Sequence, residues 1–408
     1  MTEISMSKTT SIPRIGIFTY HFSDNFGALM QAYGLRRWLM DQGCEAEFVN
    51  YHPEHVEAGG SLADLLKSGS LKSKAKIVYL KLSALQRKLF GNRDQIEMFH
   101  RFQSGTLGVS GPVLRTAEEV DAFLASPGGR FDMLICGSDQ IWAPSQQYGI
   151  DPVYYLDFPG GAQGARRISY APSFGRATLD PAYETEVAGY LAGFDGLSAR
   201  EKSGVEIVET LAQRPTAWVP DPTILLGDYS GLAAAAANVG EGHVFCYALR
   251  TGQGIREVAA MAGEKTGGKV LSPYNIHRRW PEIGETVYPS PEQWIAHVAK
   301  ASFVVSNSFH GTVFSILFRK PFLTVGLPGS RAALNERSKN LLSSLGLLDR
   351  FVMGDDTETV RRRLGEPVDW ETAEPKLAAL QASGRGYLRS ELQALKEDHP
   401  VLQEAHHA

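Results

Sequence analysis

The sequence predicts an α/β fold made of two doubly wound parallel-sheet domains, with a helical insert in the first. Three observations carry that expectation. The chain opens on a strand–loop–helix–strand unit. Short β-rich runs then alternate with helix-period segments as far as residue 326. The alternation is broken at 227–242 by "GDYSGLAAAAANVGEG", a Gly- and Ala-rich stretch that reads as a boundary. The expected division is 14–228 with an insert at about 61–104, then 242–370, then a charged helical tail, 371–408, packed across the outside.

Each element follows from its residues. "RIGIFTY" (14–20) is a β-rich run, and the polar loop "HFSDNFG" separates it from "ALMQAYGLRRWLMDQG", whose apolar spacing and terminal Gly43 mark a helix and its C-cap. "AEFVNYH" supplies the next strand, so the opening unit is βαβ and its strands are parallel. After the insert, "FDMLICGSDQIW" is a buried strand ending on Gly137, Ser138 and Asp139. "RRISYAPSFG", "DGLSARE" and "TAWVPDPTILL" read as further strands that stop on small or polar residues. "HVFCYALR" restarts the pattern. A helix near 252–264, the strand "KVLSPYN", the helix "SPEQWIAHVAKAS", the strand "FVVS", the helix "GTVFSILFRK" and the strand "PFLTVG" follow.

Composition narrows the function. With 41 Lys plus Arg against 45 Asp plus Glu and a net charge of −4, there is no basic field for a nucleic-acid backbone. Cys44, Cys136 and Cys246 stand far apart without a CxxC pair, which fits small core residues in a reducing compartment. The polar "MTEISMSKTTSIPR" lacks the apolar core of a signal peptide, and no stretch of 18 residues is free of charges and helix breakers, so a cytoplasmic protein is expected. The insert is helical in period with a basic middle. That reads first as a solvated helical pair, and is compatible with peripheral contact with a membrane-bound assembly machinery.

No GxxxxGK[ST] and no GxGxxG occurs, and no His, Asp or Glu cluster has metal-ligand spacing, so neither a cofactor nor a metal is expected. The polar residues concentrate elsewhere. In "VVSNSFHGTVFSI" (304–316), Asn307, Ser308, His310 and Gly311 interrupt an apolar run between a strand and a helix, where open α/β sheets bind ligands. The first amides of that helix, expected at Gly311 and Thr312, face outward with the positive end of the helix dipole and suit an anion.

A lone histidine ordinarily caps a turn, but here the arrangement repeats. "CGSDQ" ends another strand with Gly137, Ser138 and Asp139, and "LSAREKSG" places Arg200 just after a third. Arg200 alone could pair with a carboxylate, Glu201 excepted because adjacent residues do not face each other. Asp221, between Pro220 and Pro222, reads as a turn or strand-end residue. Asn25 and Gly27, before the first helix, hold either a ligand or the helix N-terminus.

In order, "IGIFTYHFSDNFGALMQAYGL", "DMLICGSDQIW", "LSAREKSG", "VPDPTILL" and "VVSNSFHGTVFSILFRKPFLTVG" resemble the polysaccharide pyruvyl transferase family, from about Arg14 to the "LLSSLGLLDRF" segment. The resemblance implies two Rossmann-like domains facing a cleft, in a GT-B-like arrangement. It also implies transfer of the pyruvyl group of phosphoenolpyruvate to two hydroxyls of a nucleotide- or lipid-linked saccharide, as a ketal, during surface polysaccharide synthesis. It assigns His310 to the phosphate and to general acid work, and Arg200 to the carboxylate or phosphate, with Asp139 or Asp221 as acceptor of the sugar proton. Two positions depart from the pattern. Ser308 stands where members often carry an arginine, and Gly27 is followed by Ala28. Arg36, Arg278, Arg279, Arg331 and Arg337 are the cations available to replace the missing charge. The alternatives are a nucleotide-sugar-dependent glycosyltransferase on the same fold and a non-catalytic saccharide-binding family member.

Overall fold

The computed structural model describes residues 12–53, 92–145, 148–160, 164–236, 238–249, 252–274 and 283–398, and singly Val56, Val78 and Leu82. Most of the expected insert, and Arg278 and Arg279, lie outside the described residues.

The first sheet has the order β2-β1-β3-β4, from β1 (Arg14–Phe18), β2 (Glu45–Phe48), β3 (Met133–Cys136) and β4 (Arg166–Ser169), all parallel. A bridge between Ile168 and Gly196 joins it to the short parallel pair β5 (Ser198–Ala199) and β6 (Ala217–Trp218). The second sheet has the order β12-β11-β10-β7-β8-β9, again parallel, from β7 (Val244–Tyr247), β8 (Val270–Pro273), β9 (Glu285–Val287), β10 (Phe303–Ser306), β11 (Phe322–Gly326) and β12 (Phe351–Met353). β3, β7 and β10 are buried along their whole length, as continuous apolar runs covered on both faces must be.

Each sheet reverses its winding once, between β1 and β3 in the first and between β7 and β10 in the second. Such switch points open a crevice beyond the strand C-termini. Both crevices meet, because one apolar cluster runs through the two halves, from Ile15, Phe26 and Leu29 to Trp294, Val304 and Phe314. Phe26, the first residue of the helix Phe26–Asp41, stacks on Trp294 with centroids 5.4 Å apart and planes 7° apart.

The helix Trp370–Asp398 returns from the second half to the first. Arg385 donates to the Leu225 and Leu226 carbonyls, Tyr387 donates to the Ser169 carbonyl, and Glu391 pairs with Arg166 at 2.8 Å. The segment 216–226 departs from its strand reading. Only Ala217–Trp218 is extended, and Pro222–Leu226 is a helix capped by Asp221, whose side chain accepts from the Thr223 amide. A proline at the first helical position is already set to helical φ, and the Asp–Pro pair starts a helix as readily as it ends a strand.

Candidate active site

The candidate residues converge at the joined switch points. Asp221 is 1 % exposed and is the hub. Its Oδ1 accepts from the Thr223 amide at 3.0 Å and hydroxyl at 2.7 Å, and its Oδ2 accepts from Arg200 Nη1 at 2.9 Å and Ser138 Oγ at 3.2 Å. His310 Nε2 lies 3.6 Å from the same Oδ2, beyond hydrogen-bond length. Burial by itself would raise the Asp221 pKa, but the His310 ring, the Arg200 guanidinium and the Thr223 hydroxyl outweigh it and hold the carboxyl far below the usual range.

Arg200 is 6 % exposed. It pairs with Asp221 and also, contrary to the expectation from sequence, with Glu201, at 2.9 Å from its Nε. The exclusion of adjacent residues holds along a strand, where side chains alternate faces. Arg200 instead lies at a corner, because β5 has ended and Glu201 already caps the helix Lys202–Ala212. Burial opposes the charge on Arg200, yet Glu201, Asp221 and Asp139 keep it cationic. Its third nitrogen, Nη2, is buried with no partner among the described residues.

Two arginines lie close to the Phe309 ring. The Arg200 guanidinium sits 5.0 Å and the Arg337 guanidinium 5.9 Å from the centroid of the Phe309 ring. Arg337 Nε is likewise buried without a partner among the described residues, and burial together with the nearby Arg200 lowers its pKa. Of the other cations, Arg36 spends its Nε on the Ala46 carbonyl and Arg331 is exposed. Arg200, Trp218, Asp221, Phe309 and Arg337 line a cavity of about 260 Å³, with Leu380 of the C-terminal helix at its wall. One side chain of the helix Trp370–Asp398 thus reaches the site.

The helix Phe309–Leu317 arranges its start differently from the expectation. Ser308 is its N-cap and accepts from the Gly311 amide at 3.4 Å, while the Thr312 amide donates to the Ser308 carbonyl at 3.0 Å. Those two amides are therefore occupied. The ones left without an acceptor among the described residues belong to Phe309 and His310, the first two of the helix. Gly311 serves packing, since a Cβ there would run into Ser306 Oγ. Gly27 does the same for His310, whose Nδ1 occupies the space a Cβ would fill.

Asn25 caps the first helix, its Oδ1 accepting from the amides of Gly27 at 2.9 Å and Ala28 at 3.3 Å. Gly137 packs against Thr19 and donates its amide to Phe18. Ser138 is fully buried, and its single hydroxyl proton serves the Ala171 carbonyl at 2.9 Å and Asp221 alternately. Asp139 stands half-buried at the crevice. The three cysteines are buried and form no disulfide among the described residues. Among the described residues no group of three or more His, Cys, Asp or Glu side chains is placed to hold a metal, and no helix is long and apolar enough to cross a membrane.

The fold has known counterparts. UDP-N-acetylglucosamine 2-epimerase from Rickettsia bellii matches with a TM-score of 0.52 at 10% identity, over 95% of this chain and 98% of that one. Another UDP-N-acetylglucosamine 2-epimerase matches with a TM-score of 0.50 at 9% identity, over 94% and 96%. At such identities the likeness shows a shared GT-B-like fold alone. No curated protein matches the chain at a significant level. The family model for polysaccharide pyruvyl transferase, by contrast, matches residues 25–327, a span that includes His310, Arg200, Asp221 and Asp139. The chain belongs to the polysaccharide pyruvyl transferase family.

Proposed function

We propose that the protein transfers the pyruvyl group of phosphoenolpyruvate to two hydroxyls of a saccharide, forming a ketal and releasing phosphate. The carrying observation is the pair of arginines beside Phe309, each with a buried N–H that has no partner among the described residues, in the lining of a cavity of about 260 Å³. A buried donor left unpaired costs roughly 1–3 kcal/mol, more when charged, so two of them at one cavity point to an anion that satisfies both. Phosphoenolpyruvate carries two anionic groups on three carbons and suits this volume. A nucleotide sugar belongs with ligands that fill pockets of roughly 300–1,000 Å³.

In this reading Arg200 and Arg337 take the carboxylate and phosphate, and Arg337 supplies the charge absent at Ser308. The free amides of Phe309 and His310 add dipoles toward the phosphate. His310 delivers a proton to the methylene carbon, and the cationic centre that develops is attacked by a sugar hydroxyl. Asp221 keeps Arg200 and His310 in place as a fixed anion. Atoms balance when one of the two hydroxyl protons replaces the proton given to the methylene carbon and the other leaves with phosphate.

The test is phosphate release from phosphoenolpyruvate with a panel of saccharide acceptors, together with the rise in melting temperature that phosphoenolpyruvate produces. Acceptor-dependent release that is lost in Arg200→Ala and Arg337→Ala supports the reading. A protein stabilised by a nucleotide sugar and indifferent to phosphoenolpyruvate overturns it.

A further inference from the structure

Two aspartates stand near the arginines, Asp221 in the wall of the cavity and Asp139 close enough for its charge to act on Arg200 and Arg337, and they are held differently. Asp221 has both oxygens engaged, by Thr223 on one side and by Arg200 and Ser138 on the other, and is almost fully buried. A carboxylate held this way is a poor proton acceptor, because protonation would break an ion pair and strand Arg200. Asp139 uses only Oδ1, which accepts from the Gln140 amide at 2.8 Å, and is half-buried. Its Oδ2 has no partner among the described residues.

The backbone of Asp139 is the second observation. Its φ of 81° and ψ of −175° place it in a region essentially reserved for glycine, where a Cβ is strained. The conformation is pinned from several sides. The Ser138 carbonyl accepts from Thr19 Oγ1 at 2.9 Å, the Asp139 carbonyl accepts from the Ser173 amide at 2.9 Å, and Ala171 on the neighbouring strand end also has positive φ, at 56°. A glycine would sit there without strain. An aspartate gains nothing structural beyond one local hydrogen bond, and its field reaches Tyr20, Arg200 and Arg337.

We infer that Asp139 is the catalytic base that accepts the proton of the attacking saccharide hydroxyl, held in a strained backbone so that its free oxygen faces the acceptor beside the anion cavity. The assignment rests on the pyruvyl-transfer reading. In the step, the hydroxyl oxygen forms a bond to the central carbon of the donor with its own lone pair. The O–H bond breaks toward oxygen, and the proton passes to Asp139 Oδ2 and from there to the departing phosphate.

The experiment compares the wild type with Asp139→Asn and Asp139→Gly, measuring the phosphoenolpyruvate-induced thermal shift, kcat and KM for the acceptor, and the pH profile of kcat/KM. A general base contributes about 10²–10⁴-fold. Both variants are expected to lose kcat on that scale while keeping the donor-induced shift. Asp139→Gly should also melt no lower than the wild type, and the acidic limb of the profile should be absent from whatever activity Asp139→Asn retains. A merely structural role predicts instead a lowered melting temperature in both and an unchanged profile. Variants that turn over normally beside an active wild type overturn the assignment alone. A wild type that neither binds nor consumes phosphoenolpyruvate overturns the donor reading and this inference with it.

Discussion

Two buried histidine sites lie at opposite ends of the second sheet. Beyond the strand C-termini, His310 is 7 % exposed, its Nε2 has no hydrogen bond, and it faces an ionised Asp221 that also holds a buried arginine. At the other end, His243 and His297 pack edge to face. One N–H at His243 Nε2 serves the His297 carbonyl at 3.0 Å and approaches its Nδ1 at 3.4 Å, while His297 stacks flat on Phe245. Burial lowers the pKa of both, to about 4 for His297. The second pair is a neutral, satisfied core element. The first site keeps charges and unspent donors, which folding alone does not require, and the difference separates a site from a core.

That contrast can be broken at its strongest point first. Asp221→Ala leaves Arg200 buried with only Glu201, and removing one partner of a buried pair costs roughly 3–5 kcal/mol. Urea denaturation should show a loss of that order together with loss of turnover, whereas a near-neutral result would mean the pair is hydrated. His310→Ala removes the proposed acid at little structural cost. Turnover should fall about 10²–10⁴-fold with a melting temperature close to that of the wild type. Gly27→Ala places a Cβ where Nδ1 of His310 lies, so it should reduce kcat, by up to about 100-fold, while the phosphoenolpyruvate-induced thermal shift persists.

The smallest effect belongs to the opposite end. An unfolded histidine takes up its proton near pH 6.5, but folded His297 resists until about pH 4. The stability of the pair is thus fully present above about pH 6.5 and lost as pH falls toward 4. His297→Phe should flatten the melting-temperature profile across that window and leave the pH dependence of turnover unchanged. A turnover profile that follows His297 would erase the distinction between the two sites.

The strand–loop–helix at 303–317 was legible because three signals agree there: an apolar run, a cap residue and a polar interruption at a strand C-terminus. The Asp139 and Arg200 loops were legible for the same reason. The Pro222–Leu226 helix was not, since its local signals fit a strand end equally well. The Glu201 pairing was missed because the rule applied to it belongs to the interior of a strand. Arg337 could only be one of five candidate cations, because nothing local distinguishes an arginine on an exposed helix turn from one brought against a phenylalanine 28 residues earlier in the chain.

By itself the sequence determined the parallel α/β architecture and the places where strands end in small and polar residues, and it singled out His310, Arg200, Asp139 and Asp221 as candidates. These depend on periodicity and on neighbours a few positions away, which the chain states directly. Only the tertiary structure decided that both oxygens of Asp221 are engaged while Asp139 uses one among the described residues, that Arg337 comes to lie beside Arg200 at Phe309, and that Gly27 makes room for His310. Those facts depend on side chains from segments as much as 283 residues apart meeting in one low-dielectric crevice. There a group's partners, and not its type, determine whether it holds a charge, donates a proton or takes one.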